Sequence, residues 1–173
     1  ACLSAGTAAA QAFVVGAGGS LLGDQGPDVV DNGFNRWGGY VFGEMALGGP
    51  NSRQDGFLQF RFAYTSLPGA AADAPDIDAW SGFALICYRF RETWWEGGLF
   101  GGVGLYRILP KSLEPGQVAV DPAQTVAGFA VGAQSLFWVS RQFDVRLEVA
   151  GNFPLTDYRH TLIVVTAGVG YHF

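Results

Sequence analysis

Charge is scarce in this chain. Asp, Glu, Lys and Arg make up 14 % of its 173 residues, against about a quarter in ordinary soluble domains, and Lys111 is the sole lysine. A water-soluble exterior is hard to build from such a composition. Long apolar runs are missing too: no unbroken stretch approaches the roughly 20 residues that a spanning helix needs. A hydrophobic chain without such a helix has one other way through a bilayer, the closed β-barrel, where backbone groups pair between strands. Cysteine is limited to Cys2 and Cys87, which make no disulfide framework and show no metal-site spacing; Cys87 reads as a small strand residue. Lys and Arg number 10 against 15 acids, and the net charge of −5 disfavours nucleic acid as a partner. No phosphate loop or dinucleotide fingerprint occurs, since the glycine-rich stretch Gly16–Ser20 is not followed by a helix pattern. No cofactor and no metal is expected.

What the chain does have is glycine (26 residues), aromatics (14 %) and alternation. Eight segments alternate apolar with small or polar residues, separated by turn signals. They are Phe13–Leu22, Arg36–Leu47, Phe57–Ser66, Ala79–Phe90, Trp95–Arg107, Thr125–Phe137, Phe143–Phe153 and Thr161–Phe173. Each suffices for the roughly 9–11 residues of a tilted transmembrane strand. In the last, Ile163, Val165, Ala167, Val169, Tyr171 and Phe173 share one face, while Val164, Thr166, Gly168, Gly170 and His172 share the other. That division suits a strand between lipid and a lumen. A soluble barrel would need its polar face outside, but here that face is poor in charge and rich in glycine (Gly98, Gly102, Gly104, Gly128, Gly132), which suits a narrow, crowded interior.

The aromatic final position, two residues after Tyr171, resembles the closing strand of bacterial outer-membrane β-barrels. Over Phe13–Phe173 the chain resembles the small eight-stranded barrels of the OmpA/OmpX/OmpW kind. The resemblance implies an all-β fold, a closed eight-stranded antiparallel up-and-down transmembrane barrel in the bacterial outer membrane. It implies contact with membrane lipid and lipopolysaccharide, and with the barrel-insertion machinery through the C-terminal strand. Long connections tend to follow odd strands and short ones even strands, the asymmetry of a barrel with both termini in the periplasm. Ala1–Ala12 reads either as the remnant of a secretory signal peptide, with Ala10-Gln11-Ala12 in cleavage-site form, or as a periplasmic tail.

Three groups of residues are candidates for function. Glu44, Arg61, Arg89, Glu96, Asp144, Arg146 and Glu148 fall on the inward face, with Gln59, Gln134 and Asn152. Charges in a confined interior must be paired or hydrated. Arg89 is expected directly opposite Glu96 across a hairpin centred between Glu92 and Thr93, and Arg61 within reach of Glu44. The network fills a small barrel or gates a pathway; an eight-stranded barrel is only just wide enough to be filled by side chains, so filling is the expectation. Second, the outer connections carry Asp24, Asp28, Asp31, Asp73, Asp76, Asp78, Glu114, Asp121 and Asp157. Asp73, Asp76 and Asp78 are near enough in sequence to share a calcium ion, although solvated loops are the simpler reading. Third, Trp37 and Trp80 at one set of strand ends, with Tyr64 and Tyr106, and Trp94, Trp95, Trp138, Tyr171 and Phe173 at the other, with Tyr88 and Phe90, suggest two interfacial aromatic belts.

An enzyme is not expected. Lipid-modifying barrels need a serine within reach of a histidine and an acid. Only His160 and His172 exist, and no H-x-S pattern occurs. The expected role is structural, accessory or partner-binding, with other envelope proteins as candidate partners and a plugged polar interior. The alternative is a narrow channel for small or apolar solutes.

Overall fold

A computed structural model describes residues 13–24, 36–47, 56–67, 77–91, 94–110, 123–155 and 161–173. The segment Ala1–Ala12 lies outside them, as do Asp73 and Asp76. Eight strands follow in chain order: β1 (Phe13–Asp24), β2 (Arg36–Ala46), β3 (Gly56–Leu67), β4 (Ile77–Arg91), β5 (Trp95–Pro110), β6 (Gln124–Trp138), β7 (Phe143–Pro154) and β8 (Leu162–His172). Each pairs antiparallel with the next, and β1 pairs with β8, from Val14↔His172 to Asp24↔Leu162, so the sheet closes on itself. Closure removes the edge strands that would otherwise leave backbone groups unpaired in lipid. The alternation in the sequence therefore becomes a closed barrel of the expected strand number.

The barrel is apolar outside and polar inside. Large hydrophobic side chains stand exposed on the outer face, among them Trp37, Ile86, Leu99, Val103 and Val169. Buried on the inner face are Glu44, Gln59, Arg61, Arg89, Glu96, Gln134, Asp144, Arg146, Glu148 and His172. Water would penalise such a surface; hydrocarbon would not.

Glycine makes this interior possible. Aromatic side chains from one strand come close to glycines of another: Phe42 to Gly16, Tyr40 to Gly18 and Gly168, Phe100 to Gly132, and Tyr106 to Gly128. A Cβ at Gly128 would stand 2.5 Å from the Tyr106 ring, and one at Gly102 would stand 2.8 Å from the Leu85 Cα. The wall must be bare backbone at these points so that bulky side chains can fit inside a barrel of this size.

Two pairings differ from the sequence-based expectation. Arg91, not Arg89, stands opposite Glu96, and Arg89 stands opposite Gly98. The β4–β5 hairpin is thus centred half-way between Thr93 and Trp94. Moving a strand partner by two residues leaves every side chain on its own face, so alternation is blind to that choice. Arg61 also does not meet Glu44. It stands opposite Phe42, whereas Glu44 stands opposite Gln59, and the Arg61 guanidinium turns instead to Glu148.

The aromatic side chains split between belts and interior. Trp37, Trp80, Trp94 and Phe173 are exposed, as are Tyr88 and Phe90, while Trp95 and Tyr171 are half-buried against Phe90 and Phe143 on the outer face. Trp138 and Tyr106 do not belong to a belt. Both lie on the inward parity of their strands: Trp138 donates to Glu96 and packs against His172, and Tyr106 is buried against Phe83. An indole or phenol at a strand end suits either face, and its parity along the strand decides which it takes.

Candidate functional site

The lumen divides into two halves. The half nearer Phe13 and Phe173 is crossed by a continuous chain of polar contacts. Thr166 Oγ1 donates to Glu148 Oε2 at 3.1 Å, and Arg61 Nη2 reaches the same oxygen at 2.6 Å. Arg61 Nη2 also donates to Gln59 Oε1 at 2.9 Å, and Gln59 Nε2 donates to Glu44 Oε2 at 3.3 Å. Glu44 Oε2 is the hub, since Arg146 Nη1 approaches it at 3.1 Å and Arg89 Nη2 also binds it. Arg146 then grips Asp144 with two parallel bonds, Nε to Oδ1 at 2.7 Å and Nη2 to Oδ2 at 3.0 Å. The same Oδ2 of Asp144 also meets His172 Nε2. His172 packs against Trp138, tilted, with ring centroids 4.3 Å apart, and Trp138 Nε1 donates to Glu96 Oε1 at 3.0 Å. Every strand except β1 contributes a member.

Aromatic faces complete the coordination of the arginines. Arg146 lies 4.3 Å over the Phe42 ring and Arg89 4.3 Å over Phe57. Arg61 sits between Tyr40 and Phe100, at 5.1 and 5.2 Å. A guanidinium suits this role because its edge forks onto carboxylates while its flat face stacks on rings. The arrangement can hold strands together across the lumen and fill it. His172, the one histidine among the described residues, engages Asp144 and Trp138 rather than a serine.

The half nearer Leu22 and Leu162 holds a cavity of about 50 Å³ that is partly open to solvent. Its wall is mixed: Leu22, Phe83, Leu85 and Val164 beside Ser20 and Tyr106. Arg61 lines it and also belongs to the polar chain, so it marks the boundary between the halves.

All seven charged residues selected from the sequence point inward and are buried. The contacts join Glu44, Arg89, Arg146 and Asp144 directly, link the Arg61–Glu148 pair to them through Gln59, and attach Glu96 through Trp138 and His172. The sequence reading missed His172, Trp138 and Thr166 as members. His172 could have been found: Asp144 stands opposite Gly170, so His172, two residues on, is its diagonal neighbour on the same face. Of the candidate cation site, Asp73 and Asp76 lie outside the described residues; among the described residues no cluster of three metal-binding side chains occurs. Asp78, the one described member of that trio, accepts a hydrogen bond from Tyr64 at 2.8 Å.

No family model and no curated relative matches the chain at a significant level. Solved structures do. Neisserial surface protein A matches with a TM-score of 0.71 at 17 % identity, covering 93 % of this chain and 97 % of that one. The outer membrane protein OprG from Pseudomonas aeruginosa matches with a TM-score of 0.68 at 12 % identity, over 95 % and 96 % of the two chains. The attachment invasion locus protein Ail of Yersinia pestis matches with a TM-score of 0.58 at 17 % identity, over 94 % and 99 %. Identities this low carry the architecture and nothing finer. By strand number, closure and inside-out polarity, the chain has the fold of the small eight-stranded outer-membrane β-barrels.

Proposed function

We propose that this protein is a non-enzymatic outer-membrane barrel closed to solute passage, serving as a structural or accessory component that displays its inter-strand segments to partners. The observation that carries the reading is the unbroken chain of contacts from Thr166 to Glu96 across the lumen. A solute would have to part several charge-assisted bonds in a low-dielectric interior, where each separated ion is costly. Both termini lie in the periplasm, in keeping with the short β4–β5 and β6–β7 connections at the Phe13/Phe173 end. Lipid and lipopolysaccharide surround the barrel, the C-terminal strand is its insertion signal, and its protein partners are envelope components.

Planar-bilayer recording of the purified protein tests the closure. The expected result is no stable conductance step; reproducible steps would overturn it in favour of a narrow channel for small solutes. The cavity beside Leu22 favours that second reading, but the network ends it at Arg61. Mild-detergent purification from native membranes, followed by a native gel and mass spectrometry, tests the accessory role. A stoichiometric partner supports it, and a lone barrel in repeated preparations counts against it.

A further inference from the structure

The outward wall of the barrel is almost free of charge. Among the described strand residues on that face, only Asp78 and Arg107 are charged, and both stand at the end away from Phe13 and Phe173. A charge on the outer face of a barrel is costly at mid-membrane and tolerated near the interfaces. Arg107 meets that condition. The outward side chains before it on β5, Leu99, Val103 and Leu105, are apolar and exposed. A strand rises about 3.3 Å per residue at a tilt near 40°, so Arg107 stands roughly 30 Å above Trp95, enough to cross the apolar band from one interface to the other.

The surroundings of Arg107 suit an anion held at a membrane surface. Tyr64, Trp80, Arg107 and Thr125 stand opposite one another in a row across β3, β4, β5 and β6. Arg107 is exposed, and its Nη1 donates to Thr125 Oγ1 at 2.8 Å. That bond orients the guanidinium, whose fork of donors matches a phosphate. Trp80, 54 % exposed, packs against Tyr64 at 5.0 Å between centroids and supplies an aromatic surface beside the charge. Tyr64 Oη donates to Asp78 at 2.8 Å, which draws that carboxylate towards β3, while Arg107 lies on β5. We infer that this row is a docking site for the phosphorylated sugar headgroup of an outer-leaflet glycolipid. Arg107 takes the phosphate, Thr125 positions Arg107, and Trp80 packs against the apolar face of the sugar. The inference deepens the reading that lipopolysaccharide surrounds the barrel, and rests on the placement given there.

The full chain in phosphatidylcholine nanodiscs doped with diphosphoryl lipid A tests it. The Arg107 Nε–H signal, read by NMR and assigned from its loss in Arg107→Gln, should shift and saturate as the lipid A fraction rises. Lipid A retained on the protein, counted by native mass spectrometry, should fall about tenfold in Arg107→Gln, the worth of a hydrogen bond to a charged group. It should fall less in Arg107→Lys, which keeps the charge and loses the fork. Trp80→Ala should weaken retention of lipid A and leave that of phosphatidylglycerol unchanged. Heat-modifiable gel mobility checks that each variant is folded. Undiminished retention in Arg107→Gln, a shift that never saturates, or displacement by millimolar inorganic phosphate would overturn the lipid site. Equal retention of phosphatidylglycerol at equal mole fraction would overturn the preference for a sugar headgroup. Nanodiscs present lipid A on both faces, so these results do not depend on which end lies outside. Orientation is read separately, from Val139→Cys in a Cys2→Ala background, treated on intact cells with a membrane-impermeant maleimide. No labelling is expected; labelling would put Arg107 at the inner leaflet and overturn the outer-leaflet partner even where nanodisc binding holds.

Discussion

Glu44→Ala is the sharpest perturbation of the lumen network. One oxygen of this carboxylate receives Arg89, Arg146 at 3.1 Å and Gln59 at 3.3 Å, and the side chain is fully buried. Arg146 would keep both bonds to Asp144. Arg89 would keep only the face of Phe57 and become a buried cation without an acid. Removing one partner of a buried pair costs about 3–5 kcal/mol, most of it the penalty for the ion left behind. Guanidinium slopes run roughly twice the 1–3 kcal/mol/M of urea for small proteins, so the unfolding midpoint should fall by on the order of 1 M. The assay is guanidinium titration of the barrel in phospholipid vesicles, read by tryptophan fluorescence and by heat-modifiable gel mobility. Glu44→Ala/Arg89→Met removes the stranded cation as well. It should therefore recover a large part of the loss, because residues in one network are not additive. A Glu44→Ala loss under about 1 kcal/mol, within the range of exposed ion pairs, would refute the claim that the network holds the barrel. So would a double variant that costs the sum of its singles.

Four further outcomes are expected. Val103→Arg, at an outward position that is 68 % exposed near the middle of β5, should lower stability in vesicles by about 2–4 kcal/mol. Val139→Arg, equally exposed but in the β6–β7 turn, should change it little; equal effects would contradict the lipid-facing assignment. Gly102→Ala should cost about 1–3 kcal/mol by overpacking, because its Cβ would stand 2.8 Å from the Leu85 Cα, whereas Gly19→Ala, with its nearest neighbour 3.9 Å away, should be tolerated in the same titration. In a Cys2→Ala background, Cys87 is 0 % exposed and faces the lumen, so a maleimide should label it only after unfolding; labelling of the folded barrel would show that reagent reaches the network. His172→Ala should release Trp138 and raise the accessibility of Glu96, read as faster quenching of tryptophan fluorescence by a soluble quencher.

The sequence by itself determined that the chain forms eight strands and which face of each looks inward, because alternation has a period of two and the two faces differ in chemistry all along the chain. Scarce charge and the missing apolar run left the closed barrel as the way to bury such strands in lipid. Which residues meet inside was decided only by tertiary structure. Arg89 lies opposite Gly98 rather than Glu96, since a two-residue change of partner keeps every face and leaves no trace in the pattern. Arg61 chose Glu148 over Glu44 because closure brings β3 and β7 within reach across the lumen, a distance no sequence spacing encodes. Trp138 and Tyr106 sit at strand ends where composition alone suggests an interfacial belt, yet they share the inward parity of Gln134 and Gly104, so the alternation itself turns them inward. The same closure gathers Ser20, Arg61 and Tyr106 from β1, β3 and β5 around one cavity. Faces are local properties of a strand and can be read along the chain; contacts across a lumen exist only once the sheet has closed.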